Sequence, residues 1–316
     1  MGPSLDQAAE RPGGVDGAPQ PASPPNGTSR SGLVRCREIG LADVAGVIDL
    51  LTRGFSAERS RSFWVRALAR LADRTVPTGC PQFGILLESG GIPVGVLLLI
   101  FADVRTNGRP TIRCNVSSWY VEPEYRAFGS ILVSQALKRF PATYLNVTPA
   151  PHTLPLLRAQ GYTRHSEGVF VSIPVLGVKA NGSVAAVVDG LVPCEDDLLS
   201  FEPALLAAHA RWGCLSLVCK LPDGALPFVF ALRHKFGVLP TAVLIYCRNI
   251  DGLVKASGVL GRFLARRGIF LVTVDANGPV PGLTGKYLDS RPKFFKGPNQ
   301  PAIGDLAYTE VALFGV

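Results

Sequence analysis

The chain has no patterned set of metal ligands. Its 4 histidines (His152, His165, His209, His234) and 7 cysteines (Cys36, Cys80, Cys114, Cys194, Cys214, Cys219, Cys247) are scattered, with no Cys-x-x-Cys pair. That spacing argues against a metal site. An odd, unpatterned cysteine count also argues against a disulfide framework and suits free thiols in a reducing compartment, so a cytoplasmic location is expected. Long apolar runs are missing as well. The longest, around Gly91 to Ala102, contains Pro93 and Gly95. It falls short of the roughly 20 residues a spanning helix needs, so no membrane span is expected and a buried strand is the better reading. No dense block of basic residues accompanies the formal charge of +8. An excess of that kind is ordinary solvated surface, and nucleic acid is not an expected partner. Residues 1–32, rich in Pro, Gly, Ser and Ala, lack periodicity and a basic-then-apolar leader; they read as a disordered tail rather than a signal peptide.

What is present is a long alternation of helical and strand patterns. A length of 316 residues predicts about two domains, and 47% hydrophobic content is ample for packed cores. Val34 to Glu38 reads as a strand. Leu41, Val44, Val47, Ile48 and Leu51 repeat at helical spacing before Gly54. A second helix over Ser60 to Asp73 has an apolar stripe of Phe63, Trp64, Ala67, Leu68 and Leu71, with Arg59, Arg66, Arg70 and Arg74 as a solvated basic side. Two strands flank Ser89-Gly90-Gly91, and a third covers Thr111 to Val121. A helix to Phe140, a strand over Tyr144 to Thr148, a short helix ending at Gly161 and a strand over Val169 to Ile173 follow. Beyond Pro174 the order recurs: strand over Val184 to Val192, helix, hairpin around Pro222-Asp223-Gly224, strand to Arg248, helix, strand. Leu283 to Leu288 is expected as a short helix and Ala307 to Phe314 as a last strand.

The most informative stretch runs from Cys114 to Leu132. The strand should end at Pro123, which cannot donate to a ladder. Helical pattern resumes at Gly129. A strand emptying into a helix start is an anion site, because the first N–H groups of the helix are unpaired and lie at the positive end of its dipole. Arg126 adds a full charge there. Along the strand, Arg113, Asn115, Ser117 and Trp119 alternate on one face, and Ile112, Cys114, Val116, Ser118 and Tyr120 on the other.

Val121, Pro123, Tyr125, Arg126 and Gly129 form Val-x-Pro-x-Tyr-Arg-x-x-Gly, which resembles the acyl-CoA signature of the GCN5-related N-acetyltransferase (GNAT) superfamily. The order of elements, and Leu145 to Tyr162 as a second strand-and-helix unit ending in Gly-aromatic, resemble that fold too. The resemblance implies an α/β chain, α+β with mixed sheets, in a tandem GNAT arrangement. Its domains would be residues 33–176, binding acetyl-CoA or another acyl-CoA, and 177–316, a degenerate GNAT-like half. It implies a donor site of Tyr120, Val121, Arg126, Ala127, Phe128, Gly129 and Ser130, without metal. The chain departs from the pattern at Ile131, where a second small residue is usual, and at Leu157, where many members place a Tyr acid. Asn115 and His152 are the catalytic candidates, His152 because an imidazole is the side chain suited to proton transfer near neutral pH. Cys114 has no His or Asp at nucleophile spacing. The carboxy-terminal half lacks an Arg-x-x-Gly loop and carries Asp251 instead. Two functions follow: an acyl-CoA-dependent acyltransferase acting on an amine, small-molecule or protein, or a non-catalytic GNAT-like module that binds a ligand or partner.

Overall fold

The computed structural model describes residues 33–106, 108–235 and 239–315; the expected tail lies outside them. The amino-terminal half runs β1 (Val34–Glu38), α1 (Val44–Gly54), α2 (Arg61–Ala72), β2 (Gly84–Ser89), β3 (Ile92–Thr106), β4 (Arg109–Val121), α3 (Gly129–Arg139), β5 (Thr143–Asn146), α4 (Leu154–Ala159), β6 (Thr163–Ser166) and β7 (Gly168–Ser172). The carboxy-terminal half runs β8 (Ser183–Ala186), α5 (Glu202–Arg211), β9 (Leu215–Leu221), β10 (Gly224–Lys235), β11 (Leu239–Cys247), α6 (Ile250–Ala265), β12 (Leu271–Ala276), β13 (Gly285–Leu288), β14 (Lys293–Lys296) and α7 (Glu310–Leu313).

These strands form two mixed sheets of 7 strands each, ordered β1-β2-β3-β4-β5-β14-β6 and β8-β9-β10-β11-β12-β7-β13. In each, the fourth and fifth strands are parallel, β4 with β5 and β11 with β12. The sheets do not divide where the chain passes from one half to the other. β14 of the second half lies between β5 and β6, and β7 of the first lies between β12 and β13. Phe294 of β14 thereby joins the core of the first half at 1% exposure. Burying one such side chain contributes about 1.5–3 kcal/mol, so each half depends on a strand from the other.

Helices cover both faces of the first sheet. α1 and α2 set Val47, Leu50, Leu51, Trp64, Leu68 and Leu71 against Leu86, Val96, Leu98 and Ile100. On the opposite face α3 and α4 set Leu132, Val133, Ala136 and Leu157 against Leu87, Leu97, Leu99 and Phe101. β3 is therefore buried on both sides, which is why it reads as an unbroken apolar run. Ser60 starts α2 as an N-cap, accepting from Phe63 N at 3.3 Å. Among the described residues no helix is long and apolar enough to cross a membrane.

Several local expectations are overturned. Residues 285–288 form strand β13, not a helix, because they pair with β7, a strand from the other half that local pattern cannot reveal. Residues 307–314 are a turn and the one-turn helix α7, not a strand. Tyr308 takes the left-handed conformation (φ 61°), and Ala307 and Val311–Phe314 are all buried, so their alternation carries no information about which face is solvated. The strand expected to Val192 stops at Ala186. Arg74 is not on a solvated face: it is buried at the end of α2, where its guanidinium donates to the carbonyl of Phe101.

Candidate active site

β4 carries the features that build the site. Its alternation holds to Ser117, then breaks. Ser118 is left-handed (φ 49°), and the pairing with β3 jumps from Leu98↔Ser117 to Val96↔Tyr120. This bulge inserts one residue and exchanges the faces beyond it. Trp119 joins Cys114 and Val116 on the α3 side, while Tyr120 joins the α1 side beside Phe55, with ring centroids 6.4 Å apart. The expected faces of Trp119 and Tyr120 are therefore reversed.

β4 and β5 pair only through Arg113↔Thr143, Cys114↔Tyr144 and Asn115↔Leu145, and then part. The carboxy-terminal segment enters at the parting. Glu310 places its carboxylate across it, accepting from the Ser117 hydroxyl on the β4 side and from the Thr148 hydroxyl on the β5 side. Its backbone N–H donates to Asn115 Oδ1 at 2.6 Å. Asn115 Nδ2 donates to the carbonyls of Val116 and Leu145 at 3.1 and 3.4 Å. Asn115 is thus a buried brace whose amide is fully engaged. Burial pushes the Glu310 carboxyl above the usual range, and the Ser117 and Thr148 hydroxyls pull the other way. Glu310 was missed in the sequence. The available signal was one carboxylate in an otherwise apolar stretch, since a buried charge needs partners.

The segment is clamped from both halves, by Arg113 of β4 and His209 of α5. Asp305 accepts from Arg113 Nη1 and Nη2 at 3.0 and 2.6 Å. Tyr308 N donates to His209 Nε2 at 3.1 Å, which leaves Nδ1 as the protonated nitrogen, donating to Leu205 O at 2.8 Å. Burial pushes the His209 pKa down to about 4.

The loop beyond β4 is a 3₁₀ turn over Pro123–Phe128 that runs directly into α3. Its entrance is fixed by Glu122, which accepts from Tyr120 Oη at 2.9 Å and from Arg53 Nη2 at 2.8 Å. Arg126, Ala127 and Ser130 are exposed, and Phe128 packs partly on the core. The N–H of Gly129 is taken by the Arg126 carbonyl, and α3 has no side-chain cap. A Cβ on Gly129 would lie 3.0 Å from Trp119 Cζ2, so packing against that indole explains this glycine. Ile131 points outward at 46% exposure. Leu157 and Tyr162 are core residues, and Cys114 is buried with its thiol pushed well up by desolvation. His152 is exposed on the 3₁₀ turn Pro151–Thr153, outside the Asn115–Glu310 cluster. Among the described residues no group of His, Cys, Asp and Glu is arranged to hold a metal.

No protein-family model matches the sequence, and no curated protein is similar to it. Solved structures are. A GCN5-related N-acetyltransferase from Anabaena variabilis superposes with a TM-score of 0.52 at 12% identity, over 83% of this chain and 72% of that one. One from Kribbella flavida gives 0.51 at 17%, over 84% and 71%. A protein from Pyrococcus horikoshii, assigned only provisionally as an acetyltransferase, gives 0.53 at 11%, over 87% and 93%. At these identities the likeness is one of fold: the chain has a GNAT-like fold built on two sheets in tandem.

Proposed function

We propose that the chain is an acyl-CoA-dependent acyltransferase with one donor site, at the parting of β4 and β5 in the first half. The observation that carries this reading is the buried Glu310 carboxylate held between Ser117 and Thr148 where the strands separate. The donor would run along Tyr120 and Val121 to the loop Arg126–Ser130. Arg126 and the start of α3 would hold its phosphates, because the Arg126 charge lies at the positive end of that helix's dipole. The acceptor is an amine or similar nucleophile. Its nitrogen forms the bond to the acyl carbon, the carbon–sulfur bond breaks with its electron pair leaving on the CoA thiolate, which takes a proton from solvent, and the amine proton passes to Glu310. A carboxyl raised by burial is a better base near neutral pH than an exposed one. Asn115 positions Glu310 through its backbone, and His152 has no part in this scheme.

Calorimetry with acetyl-CoA, combined with thiol release over a panel of amines, tests the reading. The wild-type chain should bind, and Glu310→Gln should bind equally while transfer falls by roughly 10²–10⁴. If the wild-type chain does not bind acetyl-CoA, the non-catalytic binding module becomes the better reading. If Glu310→Gln transfers normally, Glu310 is not the base.

A further inference from the structure

A cavity of about 790 Å³ opens between the two halves. It lies outside the parting of β4 and β5. Its walls include Phe201, Tyr246 and Tyr308 with other apolar side chains, and its charged lining is Asp103 and Arg105 of the β3–β4 hairpin together with two ion pairs, of which Arg113, Asp305 and Arg248 reach the wall. In the first, Asp305 faces Arg113 as described above. In the second, Arg248 Nε and Nη2 donate to Glu202 at 3.0 and 2.6 Å.

The two pairs face the cavity in opposite senses. Asp305 keeps 17% of its side chain accessible while Arg113 keeps 6%. Arg248 keeps 28% while Glu202 keeps 0%. One pair therefore presents a carboxylate and the other a guanidinium. Each has unused capacity. Asp305 accepts two bonds from Arg113 and one from Ala307 N, against about four lone-pair sites on a carboxylate. Arg248 engages Glu202 through Nε and Nη2, which leaves Nη1 for the cavity.

We propose that this cavity binds a small zwitterion of amino-acid or dipeptide size with an apolar body, its carboxylate on Arg248 and its ammonium on Asp305. The volume lies in the roughly 300–1,000 Å³ range of small-molecule sites. A dianion meets Asp305, a dication meets Arg248, and an uncharged apolar molecule would desolvate both charges without replacing their water. A zwitterion satisfies both with charge-assisted bonds while its body covers the aromatic wall. The site does not depend on acyl transfer, so binding is measured without any thioester.

The test is calorimetry on the full chain with L-phenylalanine and L-leucyl-L-phenylalanine as probes. Each is compared with its N-acetyl form, which lacks the ammonium, and its C-terminal amide, which lacks the carboxylate. We expect at least one free probe to bind, and each capped form to bind about tenfold or more weakly. Ala302→Trp, at an exposed lining position, should abolish binding without touching either ion pair. Arg248→Met should remove the difference between the free probe and its amide while keeping the preference over the N-acetyl form. The proposal is overturned if neither free probe binds at millimolar concentration, if the capped forms bind as well, or if Ala302→Trp binds unchanged while folded.

Discussion

The two halves share a topology and differ most where the central strand hands over to a helix. After β4 the strands part, a carboxylate from elsewhere in the chain bridges them, and α3 begins without a side-chain cap. After β11 the same space is closed by the chain's own backbone. Cys247 N donates to Gly304 O at 2.9 Å and Leu306 N to Ile245 O at 2.7 Å. α6 is capped by Asn249, which accepts from Gly252 N at 2.7 Å, and Asp251 sits in its first turn. Gly304 is left-handed (φ +87°), and a Cβ there would lie 2.7 Å from Cys247 Sγ. One handover has no side-chain cap and opens beside the exposed Arg126; the other is capped by Asn249 and adds the negative charge of Asp251. The same topology thus carries an open handover in one half and a sealed copy of it in the other, and the difference lies in a few residues after the central strand.

The strand exchange limits how independent that sealed copy is. A fragment starting at Lys179 lacks β7, so β12 and β13 lose the partner that joins them. The complementary fragment lacks β14 and Phe294. Each fragment alone should fail to melt cooperatively, and mixing or co-expression should restore the transition. A cooperative melt of the 179–316 fragment near the temperature of the whole chain would show that the halves are separable after all.

Acid should attack the seam between the halves. Burial lowers His165 and His209 from 6.5 to about 4. The unfolded chain therefore binds more protons than the folded one between these values. Stability is fully present above about pH 6.5 and is lost as pH falls towards 4, by about 3–4 kcal/mol for the two together between pH 7 and 5. Glu310 runs the other way, since its raised carboxyl favours the folded state in acid, and it offsets part of the loss. Urea melts at pH 7 and 5 measure the net effect, and replacing His209 with Gln should flatten the slope. A slope unchanged in that variant would remove His209 from the account.

Glycines separate the two helices that follow the central strands. A Cβ on Gly258 of α6 would lie 2.2 Å from Val178 O, and one on Gly261 would lie 2.3 Å from Pro174 C, so α6 rests directly on the backbone of the connector. Gly258→Ala should lower stability by about 3 kcal/mol. Gly129→Ala of α3 meets only the edge of an indole that can shift, and should change stability by about 1 kcal/mol or less. Equal melting temperatures for the two variants would contradict this difference in packing.

Much of this was legible in the sequence because it is local. The order of elements from β1 to α4, the apolar stripes of α1 and α2, and the loop beginning at Pro123 follow from periodicity and from proline and glycine chemistry. What was not legible is what distant segments do to one another. The bulge at Ser118 depends on pairing with β3, and it reversed Trp119 and Tyr120. β13 is a strand because β7 crosses from the other half. Glu310 reaches the parting of β4 and β5 because Arg113–Asp305 ties the final segment to β4 and Tyr308–His209 ties it to α5. The partners that fix it there, Arg113 and His209, lie far from Glu310 in sequence.

The smallest expected effect is the sharpest test of the comparison, because it sets one helix start against the other. Arg126 is exposed and lies in an exposed part of the loop, so Arg126→Ala should leave the melting temperature unchanged. If the start of α3 holds the donor's phosphates, the variant loses a charge-assisted contact of about 1.5–3 kcal/mol, a ten- to hundredfold fall in acetyl-CoA affinity. Asn249→Ala removes the cap of α6 and should cost about 1 kcal/mol of stability. It should not change acetyl-CoA affinity, because Asp251 in the first turn of α6 would repel a phosphate there. The two variants thus exchange signatures, binding without stability for one and stability without binding for the other. Calorimetry and thermal melts on both decide the matter. A fall in affinity for Asn249→Ala, or none for Arg126→Ala, would mean that the donor site has been placed in the wrong half.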